Sequence, residues 1–129
     1  MWLYRKTNGR IGGKLPGTTA PICLFTTTGR RTGLARTVPL VYAEDGDDVI
    51  VVASAHGMSK NPDWYLNLLA NPKATVEIDG DARAMVAHTA TPEEKARVWP
   101  RLVAMNKWFA SDQRRTTREF PVIVCTPGV

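Results

Sequence analysis

A chain of 129 residues, 43% hydrophobic and 22% charged with a formal net charge of +5, is long enough for one domain and too apolar to remain disordered. No apolar run approaches the ~18 residues needed to cross a bilayer. The opening Met1-Trp2-Leu3-Tyr4-Arg5-Lys6 lacks a signal-peptide apolar region, so a cytoplasmic protein is expected. Residues 1–43 hold seven Lys or Arg (Arg5, Lys6, Arg10, Lys14, Arg30, Arg31 and Arg36) and no acid, whereas residues 44–81 hold eight acids against Lys60 and Lys73. Such segregation makes a positive face suited to an anionic partner: nucleic acid, an anionic lipid surface or a phosphorylated small molecule.

Residues 1–18 read as the end of a short helix followed by a loop rich in glycine and proline. Ala20–Thr28 is β-branched and apolar, a strand. Gly29-Arg30-Arg31-Thr32-Gly33 is a turn with glycine at each end, and Arg36–Ala43 is the returning strand of a hairpin. Glu44-Asp45-Gly46-Asp47-Asp48 is an acidic turn before Val49–Ser54, a strand apolar on both faces and therefore interior. Asn61 is expected to cap a helix, Pro62 to Ala70, with Pro62 at its first position and Trp64, Leu68 and Tyr65, Leu69 at helical spacing. Ala74–Asp79 and Ala82–Thr89 alternate around Gly80 as a second hairpin. Thr91-Pro92 opens a helix towards Met105, with Pro100 expected as a kink or boundary. Lys107–Thr117 is ambiguous, and Phe120–Cys125 is a last strand. Six strands joined mainly as hairpins predict an α+β, mainly β, single domain over 1–129: an antiparallel small barrel with two to three helices packed outside.

Few motifs carry chemistry. There is no G-x-S-x-G elbow, and neither Cys23 nor Cys125 has a histidine beside it; both sit in apolar runs and read as buried structural thiols, the alternative being a disulfide or a reactive thiol. His56 and His88 read as loop or surface residues, and no metal site is expected. The turn is different. From Arg30 to Arg36 it presents three guanidinium groups and one hydroxyl, with free backbone N–H groups and no acid in the surrounding sequence. That is a phosphate or carboxylate grip, the alternative being a solvated hairpin tip. Trp64, Tyr65 and Trp99 lie on helical apolar faces and are not interleaved with the basic residues, which argues against nucleic acid.

Thr26-Thr27-Thr28-Gly29-Arg30-Arg31-Thr32-Gly33, Arg36, Pro39-Leu40, Lys60-Asn61-Pro62-Asp63-Trp64-Tyr65-Leu66-Asn67-Leu68 and Pro121-Val122-Ile123-Val124-Cys125 together resemble the deazaflavin-dependent nitroreductase family, split β-barrel proteins of actinobacteria that use coenzyme F-420. The resemblance runs from Trp2 to Thr126 and implies a split barrel. It implies that Arg30, Arg31, Thr32 and Arg36 grip the phosphate and acidic tail. Thr37, Val38, Pro39, Leu40 and Val41, with Val52, Ala53, Ser54 and Ala55, would line the deazaflavin and its side chain. Asp63, Trp64, Tyr65, Leu66 and Asn67 would close the pocket, and Phe109 would lie over the ring. Val38, Pro39, Val52 and Trp64 are apolar walls suited to a tricyclic ring.

Family members that activate nitroimidazoles carry tyrosines near the substrate, where this chain has Val41, Asn106, Phe109 and Asp112. The implied activity is hydride transfer from reduced F-420 to a quinone, enone or nitro-type acceptor. Ser54 would hydrogen-bond the acceptor or the ring as charge develops. The alternatives are an FMN-binding split barrel and a non-catalytic deazaflavin carrier. The expected partner is a small-molecule acceptor, with peripheral membrane contact if that acceptor is a membrane quinone, and no protein partner is evident.

Overall fold

The computed structural model describes residues 21–54, 60–106, 108–114 and 119–128. The helix and loop expected over 1–18, the strand start at Ala20, and Ala55, His56, Gly57, Lys107 and 115–117 lie outside the described residues. In chain order the elements are β1 (Ile22–Thr28), β2 (Ala35–Val41), β3 (Ala43–Asp45), β4 (Asp48–Val52), α1 (Asp63–Ala70), β5 (Lys73–Ile78), β6 (Asp81–Thr89), α2 (Pro92–Met105), α3 (Trp108–Arg114) and β7 (Val122–Pro127).

The strands form one sheet in the order β2-β1-β5-β6-β7-β4-β3, every neighbouring pair antiparallel. Its two edge strands, β2 and β3, are consecutive in the chain and separated only by Tyr42. In a flat sheet the six steps between them would span roughly 29 Å, yet an extended residue reaches only about 3.5 Å. The sheet therefore curls until its edges meet at Tyr42, whose N–H donates to the Pro21 carbonyl at 3.2 Å. The edges do not pair with each other, so the barrel is split. Six strands were expected and seven are seen. Tyr42 turns into the interior and divides the expected Arg36–Ala43 strand, and Ala43–Asp45 then pairs with β4. The five-residue acidic turn thus shrinks to Gly46-Asp47 between the paired Asp45 and Asp48.

Side-chain alternation along the strands divides the core in two. Cys23, Phe25, Val49, Val51, Val76, Met85, Ile123 and Cys125 face the barrel interior, and α1 adds Trp64 and Leu68 to them. Ile50, Val52 and Val122 face the other way, under Val98 and Leu102 of α2, Phe109 of α3 and Phe120.

The helices start and stop for local reasons. Thr91 caps α2 in a full capping box: its hydroxyl accepts from Glu94 N–H at 3.2 Å while the Glu94 carboxylate accepts from Thr91 N–H at 2.9 Å. Pro100 does not end this helix. It lies on an exposed face, where the residue 96 carbonyl deprived of its donor can bond water. The helix closes at Asn106, whose N–H donates to Leu102 O and whose carbonyl accepts from Phe109 N–H, starting α3. The ambiguous late segment is thus helical over Trp108–Arg114.

The expected start of α1 is corrected. Pro62 is itself the N-cap, extended at ψ 154°, with no side-chain cap, so the helix begins at Asp63 rather than Pro62. Leu69 is 62% exposed, because Trp64 and Leu68 define the inward stripe. Among the described residues no helix is long and apolar enough to cross a membrane.

Candidate functional site

The β1–β2 turn is built by its two glycines. Gly33 takes φ +72°, a conformation that side chains rarely tolerate, and its N–H donates to Gly29 O at 2.8 Å. Gly29 is needed for space: a Cβ there would meet Thr32 Oγ1 at 2.8 Å and Leu34 O at 3.2 Å. Its N–H donates to Leu34 O, and Leu34 N–H donates to Thr32 Oγ1. This tight loop holds Arg30, Arg31 and Thr32 at the barrel rim.

Helix α1 crosses the same rim. Asn67 on its inner face is 4% exposed and is the hub of the contact. Its Oδ1 accepts from Arg30 N–H at 3.1 Å and from Arg30 Nη1 at 2.9 Å, and its Nδ2 donates to the buried Thr27 Oγ1 at 3.2 Å. Arg30 Nη2 also donates to Asp63 Oδ1 at 3.4 Å. The sequence around the turn has no acid, but the fold brings one from α1. Among the described residues, no ion pair engages Arg31 or Arg36. Arg36 follows on β2, paired in register with Thr27.

Between turn, β2 and α1 lies a cavity of about 510 Å³. Arg30, Arg31, Thr32, Arg36 and Thr37 line its polar side, with Asp63 and Asn67 from the helix, and Val38 and Trp64 form its apolar wall. Trp64 is held in place by an edge-on contact with Phe25, ring centroids 5.3 Å apart. Thr37 is steadied by a 2.7 Å hydrogen bond between its hydroxyl and that of Thr26.

Nine residues singled out from the sequence thus converge on one cleft. Gly29 and Ala35 line it too. Neither was picked as a site residue, although their positions at the ends of the turn were the available signal. The remaining candidates are placed elsewhere. Leu40, Ala53 and Tyr65 belong to or pack on the interior core, while Val41, Val52 and Phe109 belong to or pack on the second core. Phe109 is 6% exposed and stacks on Trp99 with centroids 6.3 Å apart. Pro39 is exposed on the edge strand, and Leu66 and Ser54 are half-buried on α1 and just after β4. The expected wall of Val38, Pro39, Val52 and Trp64 therefore reduces to Val38 and Trp64. Pro39 alternates to the opposite face of β2 from Val38, and Val52 points under α2. Asn106 and Asp112 are buried, at 4% and 5% exposure. Ala55 lies outside the described residues.

The thiols take no part in this cleft. Cys23 and Cys125 are free and buried; burial raises both to about 12, with the other thiol adding at Cys23 and Asp48 adding at Cys125. His88 is at the surface as expected, with Nε2 3.3 Å from Glu94 Oε2. Among the described residues no group of three or more His, Cys, Asp or Glu is placed to hold a metal ion.

Fold and site together define a split-barrel protein with a basic, half-apolar cleft at its rim. The solved structure of HutZ, a heme storage protein from Vibrio cholerae, shares that fold at 11% identity and a TM-score of 0.63, covering 84% of this chain and 82% of that one. The model of the F420H(2)-dependent quinone reductase family matches residues 1–127, and the chain belongs to this family. An F420H(2)-dependent quinone reductase of Mycobacterium tuberculosis is 39% identical over 127 residues, covering 96% of this chain and 85% of the relative. The solved structure of an F420-H2 dependent reductase, FDR-A, is 36% identical with a TM-score of 0.75, covering 81% of this chain and 93% of that one.

Proposed function

We propose that this chain is an F-420-dependent oxidoreductase that passes a hydride from the reduced cofactor to a small quinone. The observation that carries the reading is a cleft whose guanidinium groups Arg31 and Arg36, in no ion pair among the described residues, stand beside an apolar wall of Val38 and Trp64 in a member of this family. The donor set fits a phosphate and carboxylate tail, because guanidinium forks form strong charge-assisted hydrogen bonds to both. The apolar wall fits a flat ring, since Trp64, seated against Phe25, lines the cleft beside Val38.

When bound, reduced F-420 supplies the hydride. The chain binds, orients and shields. Arg31, Thr32 and Arg36 hold the anionic part at the rim. Val38 and Trp64 keep water from one side of the ring. Ser54 is assigned to hydrogen-bond the acceptor oxygen as negative charge develops on it. Support for this comes from its place just after β4, next to Ala53, which shares the interior core with Trp64. The acceptor is a small molecule, and the setting assigned is cytoplasmic, with contact at a membrane surface where the quinone is lipid-borne.

Titration of the purified protein with F-420, with FMN as control, is the first test, followed by oxidation of reduced F-420 with menadione. Saturable F-420 binding, weak FMN binding and quinone turnover are expected. Preference for FMN would overturn the cofactor assignment, and F-420 binding with no turnover of any acceptor would favour a carrier.

A further inference from the structure

We propose that Arg30 and Asn67 form a positioning strut for the anion grip and that Arg30 is not itself an anion ligand. The inference rests on the reading of the cleft as the F-420 site and concerns how the three arginines divide their roles. Arg30 is held before any ligand arrives. One oxygen, Asn67 Oδ1, accepts from both its backbone N–H and its Nη1, while Nη2 reaches Asp63. Asp63 and Asn67 stand four residues apart on α1, so one guanidinium fork spans successive turns of a single helix face. A lysine ammonium on its flexible stem lacks that fork. The Arg30 side chain is 26% exposed.

An incoming anion that recruited Arg30 would have to draw its guanidinium away from both a 4%-exposed amide oxygen, which would keep only the backbone N–H, and the Asp63 carboxylate. The backbone bond adds a second restraint: it pins the peptide between Gly29 and Arg30, the joint from which Arg31 and Thr32 project. At the other end of the same amide, Nδ2 donates to Thr27 Oγ1, tying the strut to the buried end of β1. Arg31 and Arg36, with no ion pair among the described residues, keep their charges for the ligand. The strut lowers the ordering cost of binding by fixing the turn in advance.

A double-mutant cycle tests this, read by F-420 titration and by amide hydrogen exchange of the turn in unliganded protein. Arg30→Ala and Asn67→Ala are each expected to raise the F-420 Kd about tenfold, and the double variant by about the same factor, because each acts through the other. Asn67→Ala combined with Arg36→Ala is expected to multiply. Exchange at residues 30–33 should quicken in Arg30→Ala and Asn67→Ala but not in Arg36→Ala. Asn67→Asp, which keeps the acceptor oxygen, should restore slow exchange, whereas Arg30→Lys should not. With saturating cofactor, kcat should stay near the parent value while the cofactor KM rises. Multiplying effects of Arg30→Ala and Asn67→Ala, or turn exchange unchanged by Asn67→Ala, would overturn the strut and make Arg30 a direct ligand. If Asn67→Ala fails to fold, Arg30→Ala and Asn67→Asp decide by the same exchange measurement. A parent that does not bind F-420 overturns the cofactor reading, and the exchange data still judge the strut.

Discussion

Arg31 and Arg36 differ from Arg30 in that no carboxylate among the described residues reaches them. Each charge-assisted bond to a phosphate or carboxylate contributes about 1.5–3 kcal/mol, so Arg31→Ala with Arg36→Ala should weaken F-420 binding by several kcal/mol. Equilibrium titration measures this, and parent-like affinity in the double variant would show that the grip lies elsewhere. The two thiols lead to a second expectation at this scale. Both keep their protons in the fold up to about pH 12, whereas an unfolded thiol releases its proton near 9. Between those values the native state binds more protons, so stability is complete below about pH 9 and falls as pH rises towards 12. Denaturant midpoints across that window should show the fall, with a flatter dependence in a Cys23→Ala, Cys125→Ala variant. Neither thiol should react with a thiol reagent at neutral pH until the chain unfolds.

At the scale of elements, the two main helices are held by different means. Helix α2 relies on its capping box, and Thr91→Ala should cost about 1 kcal/mol in thermal or denaturant unfolding. The Thr91 N–H, and after it the bond to His88, holds Glu94 below its ordinary carboxylate value. A lowered carboxylate contributes stability that is present above the unfolded value and lost as pH falls through the folded one, so the cap should weaken only under acid conditions. Helix α1 has no side-chain cap and relies on burial of Trp64 and Leu68. Trp64→Ala should cost ~3–5 kcal/mol and widen the cleft wall, seen as lost stability together with weaker cofactor binding. The Asn-Pro pair misleads as a start signal here, because Pro62 keeps an extended ψ and shifts the helix start by one residue. The Thr-Pro-x-Glu start of α2 is legible in the sequence, because its capping partners lie within three residues.

For the whole molecule, the rolled sheet sends its apolar positions to two cores, and this bears on acceptor choice. The resemblance implies that Asn106, Phe109 and Asp112 stand where nitroimidazole-activating relatives present tyrosines, and all three are buried. They offer no phenolic hydroxyl to steer a nitro group, and misplacing a hydride acceptor by an ångström can cost ~100-fold in rate. Menadione should therefore oxidise reduced F-420 faster than a bicyclic nitroimidazole at matched concentration. Steady-state loss of the reduced cofactor compares them, and rapid nitroimidazole turnover would show that these positions do not govern the choice.

Strand alternation, hairpin turns and the T-T-G-R-R-T-G run made the antiparallel barrel and its basic rim legible from residues alone, because turn chemistry and period-two burial act over a few neighbours. Two features needed the tertiary structure. Which face each strand residue takes is decided by how the sheet rolls, and this separates Val38 from Pro39 and sends Val52 and Phe109 to the second core. Which arginines remain available is decided by a contact across 37 residues, where Asn67 and its helix reach Arg30. The charge count of the first 43 residues could not register that contact. Electrostatic pairing follows distance in space, and α1 packs against β1 far from where it lies in the chain.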